Sequence, residues 1–129
     1  MRSFDTLDQL AALVGQEITV TDWQPVTQQQ INQFADATGD HQWIHVDAER
    51  ARTGPFGTTI AHGYMTLSLL AGFFDRSLAV KNVRMGINYG LNKVRFMAPV
   101  PVNSRLRVRI ELLEASPIEG GQQMAWRCT

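Results

Sequence analysis

IAHGYMTLSLLAGFFDRSLAV, residues 60–80, is the most apolar stretch of this 129-residue chain. The charged residues Asp75 and Arg76 keep its longest uncharged part below the roughly 20 residues that a membrane-spanning helix needs. We therefore predict a long helix buried in the protein core, beginning near Ile60 or Ala61. The remaining elements are then expected to cover this apolar helix.

Helix signals precede this stretch. Thr27 and Gln30 have the spacing of a capping box, and Gly39 is suited to end the helix that they begin. Thr6 and Asp47 are predicted to cap two further short helices. The sequence thus places most of its helices before its main strands.

Strand signals dominate the C-terminal part. Apolar side chains alternate through residues 85–96, and a change of parity near Asn92 predicts a β-bulge. Residues 104–112 alternate cleanly, with arginines on the polar side, which we interpret as a solvent-exposed face. With a short strand at residues 17–23 and a last alternating run that ends at Thr129, this order predicts an α+β fold with one long helix against a curved antiparallel sheet.

Composition and charge narrow the functional class. Twelve Lys and Arg residues balance twelve Asp and Glu residues, so neither nucleic acid nor a membrane surface is an expected partner. The N-terminus lacks the continuous apolar region of a signal peptide, and Cys128 is the only cysteine, which together favour the cytoplasm. We expect one domain over residues 1–129.

ATGDHQWIH, residues 37–45, suggests acid–base chemistry. On a continuous helix Asp40 and His45 would point about 140° apart. We expect a break at Gly39, with His45 on the irregular chain before Asp47, to let both side chains turn towards one cavity. A carboxylate and an imidazole around one water form an acid–base pair. The alternative is that Asp40 is a turn residue and His45 a hydrogen-bonded structural histidine.

Gly63 and the histidines allow two further interpretations. A free amide N–H at Gly63, in the first turn of the apolar helix, is suited to bind a carbonyl oxygen, although a glycine there also permits close packing. Asp40, His41, His45 and His62 are close in sequence and are of the types that bind metal ions. The break at Gly39 and the presence of Trp43 argue against His41 and His45 as two ligands on one helical face, and the sequence has no His-Glu-x-x-His pattern, so we predict no metal site.

Three segments carry a family resemblance: FADATGDHQWIHVDAERA (residues 34–51), PFGTTIAHGYMTLSLL (residues 55–70) and NYGLNKVRFMAPVPV (residues 88–102). They resemble the MaoC-like dehydratase family, in particular its branch similar to nodulation protein N and bacterial (R)-specific enoyl-CoA hydratases. The resemblance implies a hot-dog fold, in which an antiparallel sheet wraps a long central helix, in a homodimer or dimer-based oligomer. It also implies an incomplete C-terminal strand, because such proteins usually continue for another strand and a half.

The resemblance assigns roles to three residues. Asp40 and His45 match the catalytic pair of the family, and Gly63 matches its oxyanion-hole glycine. The implied reaction is the reversible, (R)-specific addition of water to a trans-2-enoyl-CoA, or to the same acyl group on acyl carrier protein. No metal or organic cofactor is implied.

Other residues are candidates for binding the substrate. Gln42 offers an amide beside the catalytic pair, and His62 precedes the oxyanion-hole glycine. Many related hydratases have Asn-Pro where this chain has Gln42 and Trp43, so we expect a narrower or reshaped pocket. Lys93 and Arg95 are suited to contact the phosphates of the carrier, with a solvated strand face as the alternative.

Two alternative functions stay open at this point. Hot-dog folds also hydrolyse acyl-CoA, so the first alternative is a thioesterase; the absence of an obvious nucleophile favours hydration. The second is a non-catalytic subunit that binds acyl thioesters, which an incomplete C-terminal strand would favour.

Overall fold

The computed structural model describes all of residues 1–129. None of its helices combines the length and the hydrophobicity needed to cross a lipid bilayer. The elements, in chain order, are β1 Arg2–Phe4, α1 Leu7–Ala11, β2 Glu17–Val20, β3 Gln24–Pro25, α2 Gln28–Thr38, α3 Trp43–Val46, α4 Ala48–Arg52, α5 Gly63–Ser68, α6 Leu70–Ser77, β4 Leu78–Val80, β5 Arg105–Leu106, β6 Arg109–Ile118 and β7 Gly121–Cys128.

The chain forms two units, each assembled from segments that are not contiguous in sequence. One unit contains residues 1–22, 71–91 and 107–129, and the other contains residues 23–70 and 92–106. The expectation of one domain over residues 1–129 stays a prediction.

The first unit is built on an antiparallel sheet in the order β2–β6–β7. Beyond β7, Thr129 exchanges two backbone hydrogen bonds with Arg109, at 2.9 and 3.1 Å. In the segment predicted as one strand over residues 104–112, Val108, Ile110 and Leu112 are buried whereas Arg109 is exposed, so the alternation is confirmed. The single strand is not, because residues 107–108 are not in a strand and separate β5 from β6. The apolar core of this unit consists of Phe4, Leu10, Ile18 and Leu112.

The second unit contains α2, the helix with the clearest sequence signals. Thr27 Oγ1 accepts a hydrogen bond from the Gln30 amide at 3.2 Å, and the Gln30 side chain accepts one from the Thr27 amide at 3.0 Å. Gly39 ends the helix in the left-handed region, with φ of 80°. Both capping predictions are therefore confirmed. The core of this unit consists of Val26, Ile31, Ala61 and Met65.

The predicted start of the long apolar helix is wrong. The amide of Ile60 donates to the carbonyl of Ile44 at 3.0 Å, and the amide of Ala61 donates to the carbonyl of Val100 at 2.8 Å. Because other chain segments engage these two amides, the backbone stays non-helical until α5 begins. The helical stretch is also divided at Leu69 into α5 and α6.

The predicted strand over residues 85–96 is also wrong. No residue between 83 and 99 belongs to a strand, so there is no bulge near Asn92. Apolar side chains alternate from Met85 to Leu91 as predicted, but they are exposed. Alternation describes side chains, whereas a strand needs a second backbone to bond with.

Candidate active site

His45 lies on α3, a single helical turn, and not on irregular chain as expected. Its side chain is buried, with 6% of the residue exposed. Nδ1 lies 2.7 Å from the carbonyl oxygen of Ile60. Because a carbonyl only accepts hydrogen bonds, Nδ1 carries the proton, and in the neutral ring Nε2 keeps its lone pair. His45 therefore presents Nε2 as a base.

Gln28 holds the main chain at His45. Its Nε2 donates to the His45 carbonyl at 2.8 Å, and its Oε1 accepts from the hydroxyl of buried Thr59. Sequence reasoning missed both residues. The one available signal was a threonine directly before the apolar stretch, which is too common a feature to identify a supporting residue.

Asp40 follows the left-handed Gly39 and is exposed. Its Oδ1 accepts a long hydrogen bond of 3.3 Å from the amide of Gln42, a local turn arrangement. This leaves Oδ2 for a ligand or water. Asp40 is therefore a turn residue, as the structural alternative predicted, and it still has an oxygen available for chemistry.

His62 connects these two residues. Its Nε2 donates to the backbone carbonyl of Asp40 at 2.9 Å. Its ring stacks on the ring of His45, with centroids 3.8 Å apart and planes 23° apart. One carboxylate oxygen of Asp40 and one ring nitrogen of each histidine lie within 4.8 Å of one another. The break at Gly39 therefore brings the predicted pair together, with His62 as a third member.

The same three residues are of the types that bind metal ions. An imidazole binds a metal ion through a lone pair that lies in the ring plane, at about 2.0–2.1 Å. The planes of His45 and His62 are nearly parallel and are separated by the 3.8 Å stack. They do not meet at a point that is close enough to both rings, so the stacked arrangement disfavours one shared ion.

His41 stands apart from this cluster. Its Nε2 lies 2.9 Å from Asp36 Oδ1, and both side chains are exposed. The hydrogen bond with Asp36 raises the pKa of His41 above its ordinary value of 6.5. His41 therefore faces Asp36 and solvent, and gives a matched control for changes at the other histidines.

The remaining predicted binding residues lie on the surface. Gln42 contributes through its main chain, since its amide donates to Asp40 and its carbonyl accepts from the amide of His45 at 3.0 Å. Lys93 is exposed, and Arg95 donates to the carbonyl of Val94 at 2.7 Å. The role of these residues in binding substrate stays a prediction.

Trp43 turns its ring towards α4 and the following turn. The Arg50 guanidinium lies 4.4 Å from the ring centroid. A Cβ added at Gly54 would lie only 2.9 Å from the Trp43 ring, so Gly54 leaves the room that the ring occupies. These contacts fix the position of the tryptophan beside His45; a narrower pocket stays a prediction.

Gly63 is the first residue of α5, directly after His62. First-turn amides have no partner within their own helix. A Cβ added at Gly63 would lie 2.7 Å from Cδ2 of Phe96, a residue that sequence reasoning did not select. The Phe96 ring also contacts Tyr64 edge-on, with centroids 6.0 Å apart. Close packing therefore requires a glycine here, whatever its amide binds.

Comparisons with known proteins show the family to which the chain is similar. The model of the MaoC like domain matches residues 9–127. The 3-hydroxyacyl-thioester dehydratase Z of Mycobacterium tuberculosis is 54% identical over 125 residues, which cover 97% of this chain and 83% of the relative. Nodulation protein N of Rhizobium leguminosarum bv. viciae is 49% identical over 111 residues, which cover 84% of this chain and 69% of the relative.

A solved structure gives the same result for the fold. The unliganded R-hydratase PhaJ1 from Pseudomonas aeruginosa superposes with a TM-score of 0.66 at 28% identity, covering 89% of this chain and 70% of that chain. The likeness confirms the predicted hot-dog fold class.

Proposed function

Because this chain belongs to the MaoC-like domain family, a family that includes hydro-lyases, we propose that it adds water reversibly to a trans-2-enoyl-CoA to give an (R)-3-hydroxyacyl-CoA. The convergence of the Asp40 carboxylate with the imidazole of His45 carries this proposal. One carboxylate oxygen of Asp40 and one ring nitrogen of His45 lie within 4.8 Å of each other. One water can bridge such a separation with two hydrogen bonds.

The proposed reaction uses the two side-chain atoms of the pair that have no hydrogen-bond partner in the protein, Nε2 of His45 and Oδ2 of Asp40. His45 Nε2 removes one proton from the bridging water while the water oxygen bonds to C3 of the substrate. Asp40 Oδ2 holds the same water. The acid–base pair then returns a proton to C2, so that the net change is the addition of one water.

Negative charge develops on the thioester oxygen during this step. We assign the amide of Gly63 as the donor that binds this oxygen, since it begins α5 directly after a member of the cluster. A donor aimed at developing charge stabilises the transition state more than the substrate.

The first test removes each member of the pair. Asp40→Asn and His45→Ala are each expected to lower kcat for crotonyl-CoA hydration by at least about 100-fold, since acid–base groups contribute roughly 10²–10⁴. Loss of enoyl absorbance measures the rate. Asp36→Asn, a matched change of an exposed aspartate near the end of α2, is expected to retain parental activity. Near-parental kcat in either pair variant would remove that residue from the mechanism.

The same assay separates the alternative functions. Release of free thiol without hydration indicates a thioesterase, and binding of crotonyl-CoA without either change indicates a non-catalytic subunit. Chiral analysis of the product tests the stereochemistry, since the (S) isomer contradicts the proposal.

Gly63 gives a second prediction. A methyl group at Gly63→Ala meets the Phe96 ring at 2.7 Å, and overpacking of this kind costs about 1–3 kcal/mol, so the Tm should fall. The double variant Gly63→Ala/Phe96→Ala removes the clash and should recover the Tm. If the amide binds the thioester oxygen, kcat of the double variant stays about 10²-fold below that of Phe96→Ala alone. Equal rates would mean that the glycine serves only the packing of Phe96.

Lys93 and Arg95 are proposed to attract the phosphates of coenzyme A. Lys93→Ala/Arg95→Ala should raise KM for crotonyl-CoA more than KM for crotonyl-pantetheine, which lacks the nucleotide phosphates, and the difference should shrink at high salt. Lys81→Ala/Arg84→Ala, which removes the same two charges elsewhere, is the control. An equal change for both substrates would contradict the proposal.

We further propose a homodimer or dimer-based oligomer. Five apolar side chains at alternate positions of residues 83–91 are 40–85% exposed, and such a row is costly to leave in water; they are Val83, Met85, Ile87, Tyr89 and Leu91. Sedimentation equilibrium should give at least twice the 14.5 kDa mass of one chain. Ile87→Glu should dissociate the oligomer, whereas Asn88→Glu, on the opposite side of an extended chain, should not. A monomeric parent protein would refute this assembly.

Coenzyme A is proposed as the carrier, and the corresponding acyl carrier protein thioester is the comparison substrate. We keep the cytoplasm as the proposed location, which is supported by the unpaired thiol of the only cysteine, Cys128.

A further inference from the structure

We propose that His62 is a positioning residue that holds Asp40 and His45 in their catalytic arrangement, and not the substrate-binding residue that the sequence suggested. This inference rests on the proposed function, because it concerns the same acid–base pair. It is carried by three observations on the His62 ring: its hydrogen bond, its stacking and the state of its second nitrogen.

The hydrogen bond acts on Asp40. Nε2 of His62 lies 2.9 Å from the Asp40 backbone carbonyl, so Nε2 carries the proton. Asp40 is exposed and directly follows a left-handed glycine. Its other hydrogen bonds are long, since its amide donates to Thr38 Oγ1 at 3.4 Å and its Oδ1 accepts from the Gln42 amide at 3.3 Å. The bond from His62 fixes the main chain from which the Asp40 carboxylate extends.

The stacking acts on His45. The hydrogen bond to Ile60 fixes one atom of the His45 ring, but the ring can still swing about that bond. His62 covers one face of His45 at a centroid distance of 3.8 Å, and Phe34 contacts His62 at 4.9 Å. Two ring contacts therefore restrain His62, and its ring, stacked on one face of His45, restricts the motion that would reorient Nε2 of His45.

The second nitrogen argues against contact with substrate. Nδ1 of His62 is buried without a hydrogen-bond partner, and His62 is only 2% exposed. Nε2 of His45 also has no hydrogen-bond partner in the protein, but this atom is not fully buried. The basic nitrogen of His45 is therefore open to water, whereas one nitrogen of His62 is engaged and the other is shielded.

Two substitutions separate the two contacts. His62→Gln keeps an N–H near the Asp40 carbonyl and removes the flat ring, while His62→Phe keeps a ring against His45 and removes the donor. Each is expected to lower kcat for crotonyl-CoA hydration by about 10- to 100-fold, the cost of misplacing catalytic groups by about 1 Å, with KM changed by less than about twofold. The exposed control His41→Gln should keep both constants.

A double substitution tests whether His62 acts through its neighbour. In a His45→Ala background, His62→Gln should lower the remaining kcat by less than about twofold, because the group that it positions is gone. A folded His62 variant with parental kcat, or an equally large loss in the His45→Ala background, would overturn the proposal. A raised KM with unchanged kcat would return His62 to substrate binding.

A measurement on the unsubstituted protein needs neither turnover nor a folded variant. Long-range ¹H–¹⁵N spectra of the imidazoles should show His62 protonated at Nε2 and His45 protonated at Nδ1. The opposite tautomer of His62 would break its bond to Asp40 and refute the positioning role. If the spectra agree but no enoyl thioester is hydrated, the proposed function fails while the positioning contact stands.

Discussion

The hydrogen bond from His45 Nδ1 to the carbonyl of Ile60 is the contact on which the candidate site depends. It joins α3 to the segment that leads into α5, and the amide of Ile60 returns a hydrogen bond to Ile44. Ile60 therefore accepts a hydrogen bond from α3 through its carbonyl and donates one to α3 through its amide. His62 and Gly63 follow within three residues, so the same contact leads directly to the ring that stacks on His45 and to the first amide of α5.

Main-chain carbonyls, and not charged side chains, anchor the histidines of the site. His45 donates to Ile60 and His62 donates to Asp40. A carbonyl does not titrate, so both anchors remain acceptors at any pH at which the protein is folded. Buried polar atoms around His45 are satisfied through Gln28, whereas Nδ1 of His62 is not. An unsatisfied buried nitrogen lowers the stability of a folded protein by about 1–3 kcal/mol. Against this cost stand the two contacts that the same ring makes, its stacking on His45 and the hydrogen bond from Nε2 to Asp40.

Local signals made part of this structure predictable from the sequence. The α2 helix has both caps within its own sequence, and the break at Gly39 follows from the same pattern. That break is sufficient to bring Asp40 and His45 together in principle, so the candidate pair was found without a structure. Gln28 and Phe96 were missed, because their contacts with His45 and Gly63 join positions far apart in the chain.

The prediction of a strand over residues 85–96 was wrong for a related reason. Alternating apolar side chains indicate an extended chain with one apolar side, and residues 83–91 have that pattern. Whether such a segment joins a sheet depends on a partner backbone, which no local pattern specifies. The alternation along β6 does correspond to a strand, because β2 and β7 pair with β6 on its two sides.

The late start of α5 changes how Gly63 would act on a thioester. A long helix beginning at Ile60 would have placed Gly63 within its first turn and added a substantial helix dipole. In the structure α5 begins at Gly63 itself, so the Gly63 amide is the first of the helix. An oxyanion bound at this position would then be stabilised through that one amide N–H. A Cβ at Gly63 would lie 2.7 Å from Cδ2 of Phe96, so an aromatic side chain outside the helix limits the space beside Gly63.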